Sequence, residues 1–207
     1  AEHRMKGVGT ALLRDAIHYG QTRHHALLLL NGIPNFYYRF DFIDILDPTR
    51  HAIERAAVLA QPQSPYRVQP TTNEDNLVLL KLYERHYGQY AGSFSRTPRQ
   101  QEHLYNFRYR MPPLLALSPD NVPSGYLLLS TWSGLTAYEV AADNWPAALA
   151  LLQYQAQYMA EIGNEDSELW WPLPLNSPTL YSIADHLPVR SQVQVQPNAD
   201  WMARPAH

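Results

Sequence analysis

The chain contains no cysteine in its 207 residues. Disulfide bonds, thiolate zinc sites and a cysteine nucleophile are therefore excluded together. Long apolar runs are also missing, because the most apolar run extends only from Ala26 to Leu30, whereas a membrane-spanning helix needs roughly 20 residues. We therefore expect a protein that acts away from membranes.

Strong charge of either sign is lacking as well. Lys and Arg total 16 and Asp and Glu total 19, which gives a formal net charge of −3. The basic residues are scattered, so the sequence offers no positive surface for nucleic acid. We expect a cytoplasmic protein without a nucleic-acid or membrane partner, and we leave open whether identical chains associate.

The apolar residues follow helix and strand periods in turn, which predicts an α/β fold with a mixed sheet. Near the N-terminus we predict a helix over Val8–His24, a strand over Ala26–Leu30, two helical turns over Asn35–Phe40 and a strand over Phe42–Leu46. The Pro-rich stretch Gln61–Pro65 then indicates a linker. A second series of the order β-α-α-β-β-β-α-β-α-β is predicted from Tyr66 to Gln196.

This pattern predicts two domains, one over residues 1–60 and one over residues 66–196, followed by a loosely held tail over residues 197–207. The chain opens on Ala1-Glu2-His3-Arg4 directly before a Gly-rich turn, and no strand precedes that turn. Because a phosphate-binding turn usually follows a strand, we expect the first domain to be truncated at its N-terminus.

The Gly-rich turn has the most specific chemistry in the sequence. It consists of Arg4, Met5, Lys6, Gly7, Val8, Gly9 and Thr10, and it opens the first predicted helix. Glycines allow a tight turn and the close approach of a bulky anion, and the unpaired N–H groups of the helix favour negative charge. A lone Gly-x-Gly is more often a structural turn, so the surrounding sequence must decide between a structural turn and an anion-binding turn.

That context resembles the GCN5-related N-acetyltransferase superfamily. The resemblance rests on Arg-x-x-Gly-x-Gly-Thr-x-Leu-Leu, then a buried strand, then Phe36-Tyr37-x-x-Phe40-x-Phe42, all between Glu2 and about Asp44. It implies that the first motif holds the pyrophosphate of acetyl-CoA and that the second flanks the acyl-transfer site. Asp41 departs from the pattern because the family usually has glycine there; Asp tolerates a left-handed backbone better than most residues.

The second series resembles the second domain of tandem acetyltransferases related to the enhanced-intracellular-survival aminoglycoside acetyltransferases. The similarity rests on Tyr66-Arg67-Val68-x-Pro70-x-Thr72, Leu82-Tyr83-Glu84-Arg85 and Ser95-Arg96-Thr97-Pro98. Its helix from Trp145 begins after Asp143 without a glycine or a basic residue, and Pro146 removes a donor. With Asp143 as the predicted cap, we expect this domain to wall the substrate cleft without binding CoA.

The resemblance implies that Tyr37 is the general acid that protonates the departing thiolate, with a packed aromatic as the alternative. Asn31 is expected either to bond the pantetheine arm of acetyl-CoA or only to form the turn. The general base is not identifiable. Glu139 could contribute to that role, but it is better explained as a solvated or structurally paired carboxylate. No metal site is expected from His18, His24 and His25.

These features predict an N-acetyltransferase that moves an acetyl group from acetyl-CoA to an amine of a small molecule or an aminoglycoside-like substrate. The alternative is a non-catalytic sensor that binds acyl-CoA with the same fold. The 207-residue chain alone is expected not to turn over acetyl-CoA. Ser182, Asp185 and His186 are not expected to form a triad. Trp170, Trp171 and the Tyr83–Tyr90 stretch are expected by default to pack in the core, with the lining of an aromatic substrate cleft as the alternative.

Overall fold

A computed structural model of the chain describes residues 7–31, 33, 36–45, 49–90, 93–102, 111–130, 136–193 and 201–206. The chain divides into two compact units. The first unit combines Ala1–Pro48 with Val193–His207, and the second consists of Thr49–Gln192. None of the helices in these described ranges is long and apolar enough to cross a bilayer.

The first unit has one helix and a three-stranded antiparallel sheet. The helix α1 spans Val8–Thr22, and the strands are β1 (Leu27–Asn31), β2 (Ile43–Asp44) and β10 (Trp201–Pro205). The order is β1-β10-β2, with Leu29 opposite Ala203 and Ala203 opposite Ile43. Packing of Ile17, Phe40, Phe42 and Met202 forms its core.

The second unit has two sheets and a long central helix. Its strands are β3 (Thr49–Glu54), β4 (Arg67–Pro70), β5 (Leu114–Leu117), β6 (Pro123–Ser130), β7 (Thr136–Ala142), β8 (Glu168–Trp171) and β9 (Val189–Val193). Its helices are α2 (Arg55–Leu59), α3 (Asn76–Tyr87), α4 (Trp145–Glu161) and α5 (Pro178–Ala184). The sheets have the orders β8-β3-β9 and β4-β5-β6-β7, and all pairings of the latter are antiparallel.

The same succession of elements occurs twice along the chain. The first copy is α1-β1-β2, with the 3₁₀ turn Tyr38–Phe40 between its strands, and the second is α4-β8-α5-β9. The strand β3 follows the first copy but lies between β8 and β9, while β10 follows the second copy but lies between β1 and β2. The strand after each copy thus completes the sheet of the other copy.

The core of the second unit is apolar around α4, and it includes a hydrogen-bonded polar pair. Ala147, Leu151 and Ala156 of α4 are fully buried. The fully buried Trp171 donates its indole N–H to Gln155 Oε1 at 2.7 Å, which satisfies both groups. These contacts fix α4 against β8.

A buried histidine joins the central strand β3 to its surroundings. His51 is fully buried, with Nε2 2.8 Å from the carbonyl oxygen of Leu173 and Nδ1 2.9 Å from Ser191 Oγ. Because a carbonyl oxygen only accepts, Nε2 donates to Leu173, and Nδ1 is paired with the serine hydroxyl. This polar residue is therefore compatible with a buried strand.

The structure corrects the division of the chain expected from the sequence. Residues 49–60 belong to the second unit and not to the first, because β3 and α2 contribute Ile53 and Val58 to the core of the second unit. Residues 201–205 form β10, a central strand of the first unit, and are not a loosely held tail. Both corrections concern strands whose partners lie far away in the sequence.

The first turn of α4 also differs from the expectation. Asn144, and not Asp143, caps the helix, because the Asn144 side chain accepts a hydrogen bond from the Ala147 amide at 3.0 Å. Asp143 instead accepts from Arg85 Nη1 at 2.6 Å and lies 2.8 Å from His86 Nε2. The start of α4 is thus closed by its own cap, and Pro146 stands in its first turn.

The pairing of Asp143 has a consequence for its ionisation. Partial burial disfavours the carboxylate, but the hydrogen bonds from His86 and Arg85 outweigh it and hold the pKa of Asp143 below its ordinary value. A carboxyl group with a lowered folded-state pKa stabilises the protein above its unfolded-state pKa. That stability is lost as the pH falls through the folded-state value.

We predict that Asp143→Asn lowers the free energy of unfolding by roughly 1 kcal/mol at neutral pH, because the carboxylate loses its charged partners. The difference from the unaltered protein should shrink below about pH 4, the ordinary range of an aspartate pKa. Denaturant unfolding between pH 7 and pH 3 measures it, with the exposed Asp166→Asn as a control. A difference that is constant with pH would contradict the ion pairing.

We predict that Ala203→Pro disrupts the sheet of the first unit, because proline cannot donate in a strand paired on both sides. A loss of about 2 kcal/mol is expected from the missing bond and the strain. Hydrogen exchange should show faster exchange of the β1 amides and unchanged exchange in β6. The matched control Ala203→Gly keeps the N–H and should cost only about 1 kcal/mol. Protected β1 amides in the proline variant would refute the central position of β10.

Candidate functional site

The N-terminus of α1 is open and has no side-chain cap. Gly7 occupies the N-cap position with φ 78°, in the left-handed region that favours glycine. Within the described residues the N-cap makes no side-chain hydrogen bond to the first turn, and the turn contains no acidic residue. No described atom lies within 4 Å of a Cβ built on Gly7. The backbone N–H groups of this first turn thus have no capping side chain among the described residues.

The first three amides of α1 belong to Val8, Gly9 and Thr10. The regular helical bonding starts with the Ala11 amide, which donates to the Gly7 carbonyl at 3.0 Å. A Cβ built on Gly9 would meet only the Phe36 ring, at an ordinary contact distance of 3.8 Å. The fold itself thus tolerates a side chain at Gly9, and the open turn is suited to an anion.

The aromatic motif forms a compact turn after β1. Phe36 packs edge-on against Tyr37 with ring centroids 4.9 Å apart, and Tyr37 packs against Phe42 at 6.1 Å. Asp41 ends the 3₁₀ turn with φ 64° and ψ 21°. Asp41 thus adopts the left-handed backbone that the usual glycine would allow, and its neighbours Phe40 and Phe42 both lie in the core.

The two adjacent tyrosines have different environments. The Tyr38 hydroxyl donates to Asp44 Oδ2 at 2.6 Å. Tyr37 is half-buried, and within the described ranges its hydroxyl forms no hydrogen bond to another residue. A hydroxyl already donated to a carboxylate is a poor proton donor to a substrate, so Tyr37 is the better candidate for that role.

The remaining candidates differ in how far they can be placed. Arg4, Met5 and Lys6 lie outside the described residues. Asn31 is the last residue of β1 and pairs with Trp201. Its side chain lies outside the described part of the structure, so its role stays a prediction.

Arg39 is a residue at this site that the motif does not specify. Its Nη2 atom donates to Thr10 Oγ1 at 3.4 Å, and its guanidinium lies over the Phe36 ring at 4.2 Å. The sequence contained a signal for this contact, because Arg39 has one aromatic residue three positions before it and another directly after it. Those spacings place all three side chains around one helical turn.

The other constellations are occupied by structural contacts. Glu139 forms a bidentate pair with Arg96, at 3.0 and 2.5 Å, and accepts from the Tyr126 hydroxyl. The His186 ring donates through Nδ1 to the Ser182 carbonyl and stacks on Trp145 at 4.3 Å. Of the two structural explanations for Glu139, a solvated or a paired carboxylate, the structure shows the paired one.

Several aromatic residues of the second unit noted in the sequence pack in or against its core. The Tyr83 and Tyr87 rings stack at 5.3 Å against the core, and Trp171 is buried, so the expectation of core packing is confirmed for these residues. Among the described residues, no group of three or more histidine, aspartate or glutamate side chains could hold a metal ion.

Comparison with known proteins gives a result only at the level of structure. No protein-family model matches the chain, and no curated protein matches its sequence significantly. Sixty-six chains of solved structures are significantly similar to this chain in structure. Their sequence identities are low, so they inform on the fold.

Three of these structures cover nearly the whole chain. A GCN5-related N-acetyltransferase from Anabaena variabilis has a TM-score of 0.67 and 16% identity over 100% of this chain and 52% of its own. A probable N-acyltransferase from Enterococcus faecalis has a TM-score of 0.66 and 15% identity, over 99% of this chain and 51% of its own. Eis1 from Mycobacterium abscessus has a TM-score of 0.57 and 18% identity, over 99% and 53%.

The chain thus spans about half the length of these structures. The fold implied by the resemblance of the glycine turn and the aromatic motif is confirmed by these structures. The mixed α/β architecture expected from the sequence is confirmed as well. The protein has the fold of the GCN5-related N-acetyltransferases.

Proposed function

We propose that the protein is an acyl-CoA-dependent N-acetyltransferase that transfers an acetyl group from acetyl-CoA to an amine of a small molecule. The observation that carries this proposal is the uncapped N-terminus of α1, with Gly7 in the left-handed region. This feature stands in the motif that resembles the pyrophosphate-binding turn of the family.

The start of α1 fits a diphosphate physically. Its first amides have no capping side chain among the described residues, and the positive end of the helix dipole favours an anion there. Gly9 leaves room for close approach, since the fold does not require glycine at that position for its own packing. Arg4 and Lys6 precede the turn in sequence and would add positive charge.

The proposed chemistry is direct transfer of the acetyl group. The nitrogen of a neutral amine attacks the thioester carbonyl carbon, a C–N bond forms and the C–S bond breaks. Tyr37 gives its hydroxyl proton to the departing thiolate of CoA. The proton lost by the amine passes to solvent and restores the phenol, so the products are an N-acetyl amide and free CoA thiol.

The second copy is proposed to have no acyl-CoA site of its own. The first turn of α4 is capped by Asn144 and lacks one amide donor because of Pro146. The Asp143 carboxylate adds negative charge next to it. A tandem protein with one competent copy is consistent with this difference between the two helices.

The acceptor is proposed to be a small amine or an aminoglycoside-like polyamine. This class comes from the resemblance of residues 66–98 to the second domain of aminoglycoside acetyltransferases. A thiol-release screen of the full-length protein with acetyl-CoA and a panel of amines, including aminoglycosides, tests it. Turnover with one amine class supports the enzyme, whereas CoA binding without thiol release from any amine supports a sensor.

We predict opposite effects of Gly9→Asp on helix stability and on CoA affinity. Relative to the isosteric Gly9→Asn control, a carboxylate in the first turn of α1 should stabilise the helix by about 0.3–1 kcal/mol. It should weaken CoA binding at least about tenfold, because it repels the diphosphate. Thermal unfolding and calorimetry with CoA on the full-length protein measure the two effects. Equal CoA affinity of the two variants would argue against the anion site.

We predict that Tyr37→Phe lowers kcat by about 10²-fold or more, the usual contribution of a general acid, while the affinity for CoA is retained. Steady-state thiol release with the best amine of the screen measures kcat, and calorimetry measures CoA affinity. Tyr38→Phe is the matched control and should retain turnover, because its hydroxyl is bonded to Asp44. Full turnover of the Tyr37 variant would remove the phenol from the mechanism.

A further inference from the structure

Arg39 connects the aromatic turn to the start of α1. It lies in the 3₁₀ turn Tyr38–Phe40, and its Nη2 atom donates to the Thr10 hydroxyl in the first turn of the helix. The distance of 3.4 Å between these atoms is long for a hydrogen bond, which leaves the guanidinium donors available for a stronger acceptor. A positive charge therefore lies beside the uncapped amides.

Two aromatic rings hold this guanidinium in position. Its central carbon lies 4.2 Å from the centroid of the Phe36 ring and 5.1 Å from that of Phe40. Phe40 is buried in the core of the first unit, so the surface under the guanidinium is anchored. Cation–π contact and a planar stacking surface favour arginine over lysine here.

The charge of Arg39 has no carboxylate partner among the described residues. Arg85, Arg96 and Arg190 each form an ion pair with an acidic side chain, at Asp143, Glu139 and Glu168 respectively. Arg39 forms none within the described ranges and is exposed. An arginine that is held by aromatic rings but is unpaired next to helix amides is suited to bind an external phosphate.

We propose that Arg39 binds a phosphate of the acyl-CoA nucleotide and thereby selects acyl-CoA over thioesters that lack phosphate. The inference rests on the proposed function, since it assigns a further residue to the same site. The backbone amides of α1 provide the neutral donors, and Arg39 provides a charged, bidentate donor on the side of the aromatic turn. Tyr37 precedes the same turn, so phosphate recognition and the proposed acid share one short segment.

The test compares two acetyl donors that differ in their phosphates. Steady-state thiol release by the full-length protein is measured with acetyl-CoA and with S-acetylpantetheine, which has no phosphate, using the same amine. The selectivity is the ratio of kcat/KM for the two donors. Arg39→Gln should reduce this ratio at least about tenfold by raising KM for acetyl-CoA, while kcat/KM for S-acetylpantetheine stays unchanged.

Two further variants sharpen the result. Arg39→Lys keeps the charge but loses the planar fork, so its selectivity should fall between those of the unaltered protein and the glutamine variant. Arg14→Gln removes an exposed arginine of α1 and should leave the selectivity unchanged. Thermal unfolding of each variant reports whether the fold is intact.

The outcomes separate this inference from the proposed function. If the unaltered protein shows no preference for acetyl-CoA, the proposed function fails together with its anion site. If it prefers acetyl-CoA and Arg39→Gln keeps the full preference, only the role of Arg39 is refuted. If Arg39→Gln lowers kcat/KM equally for both donors, Arg39 acts on the fold alone and the proposal is overturned.

Discussion

The antiparallel pairing of β10 with β1 and β2 is the interaction on which the first unit depends. Without it, β1 and β2 have no common neighbour in the described sheet, since β10 lies between them. The pairing also places Met202 against Ile17, Phe40 and Phe42. The positions of α1 and the aromatic turn, and hence of Gly7 and Tyr37, follow from a strand about 160 residues further along the chain.

Local patterns in the sequence predicted the elements near the site well. The period of Val8–Thr22 and the apolar run before Asn31 gave α1 and β1 within a few residues. The departure from glycine at Asp41 left the local backbone geometry open, and the structure shows a left-handed residue there. Arg39 was not identified: its spacing to Phe36 and Phe40 is visible in the sequence, but its contact with Thr10 depends on the fold.

The strands β3 and β10 could not be predicted for a different reason. β3 contains Arg50, His51 and Glu54, so its composition is typical of an irregular segment, yet its histidine is buried with both nitrogens satisfied. β10 contains Arg204 and Pro205 near the end of the chain. Neither strand has a partner close in sequence, and a strand without an evident partner is hard to distinguish from a loop.

The two repeated copies differ most where their helices begin. The first amides of a helix can be satisfied by its own cap or by an external anion, and each donor can serve only one of them fully. In α4, Asn144 and Pro146 occupy or remove these donors. In α1, Gly7 and Gly9 contribute no acceptor. The two copies thus share their order of elements but differ in the cap residue of the helix. On the proposed function, a change of few residues at one helix start is enough to convert an acyl-CoA site into a structural domain.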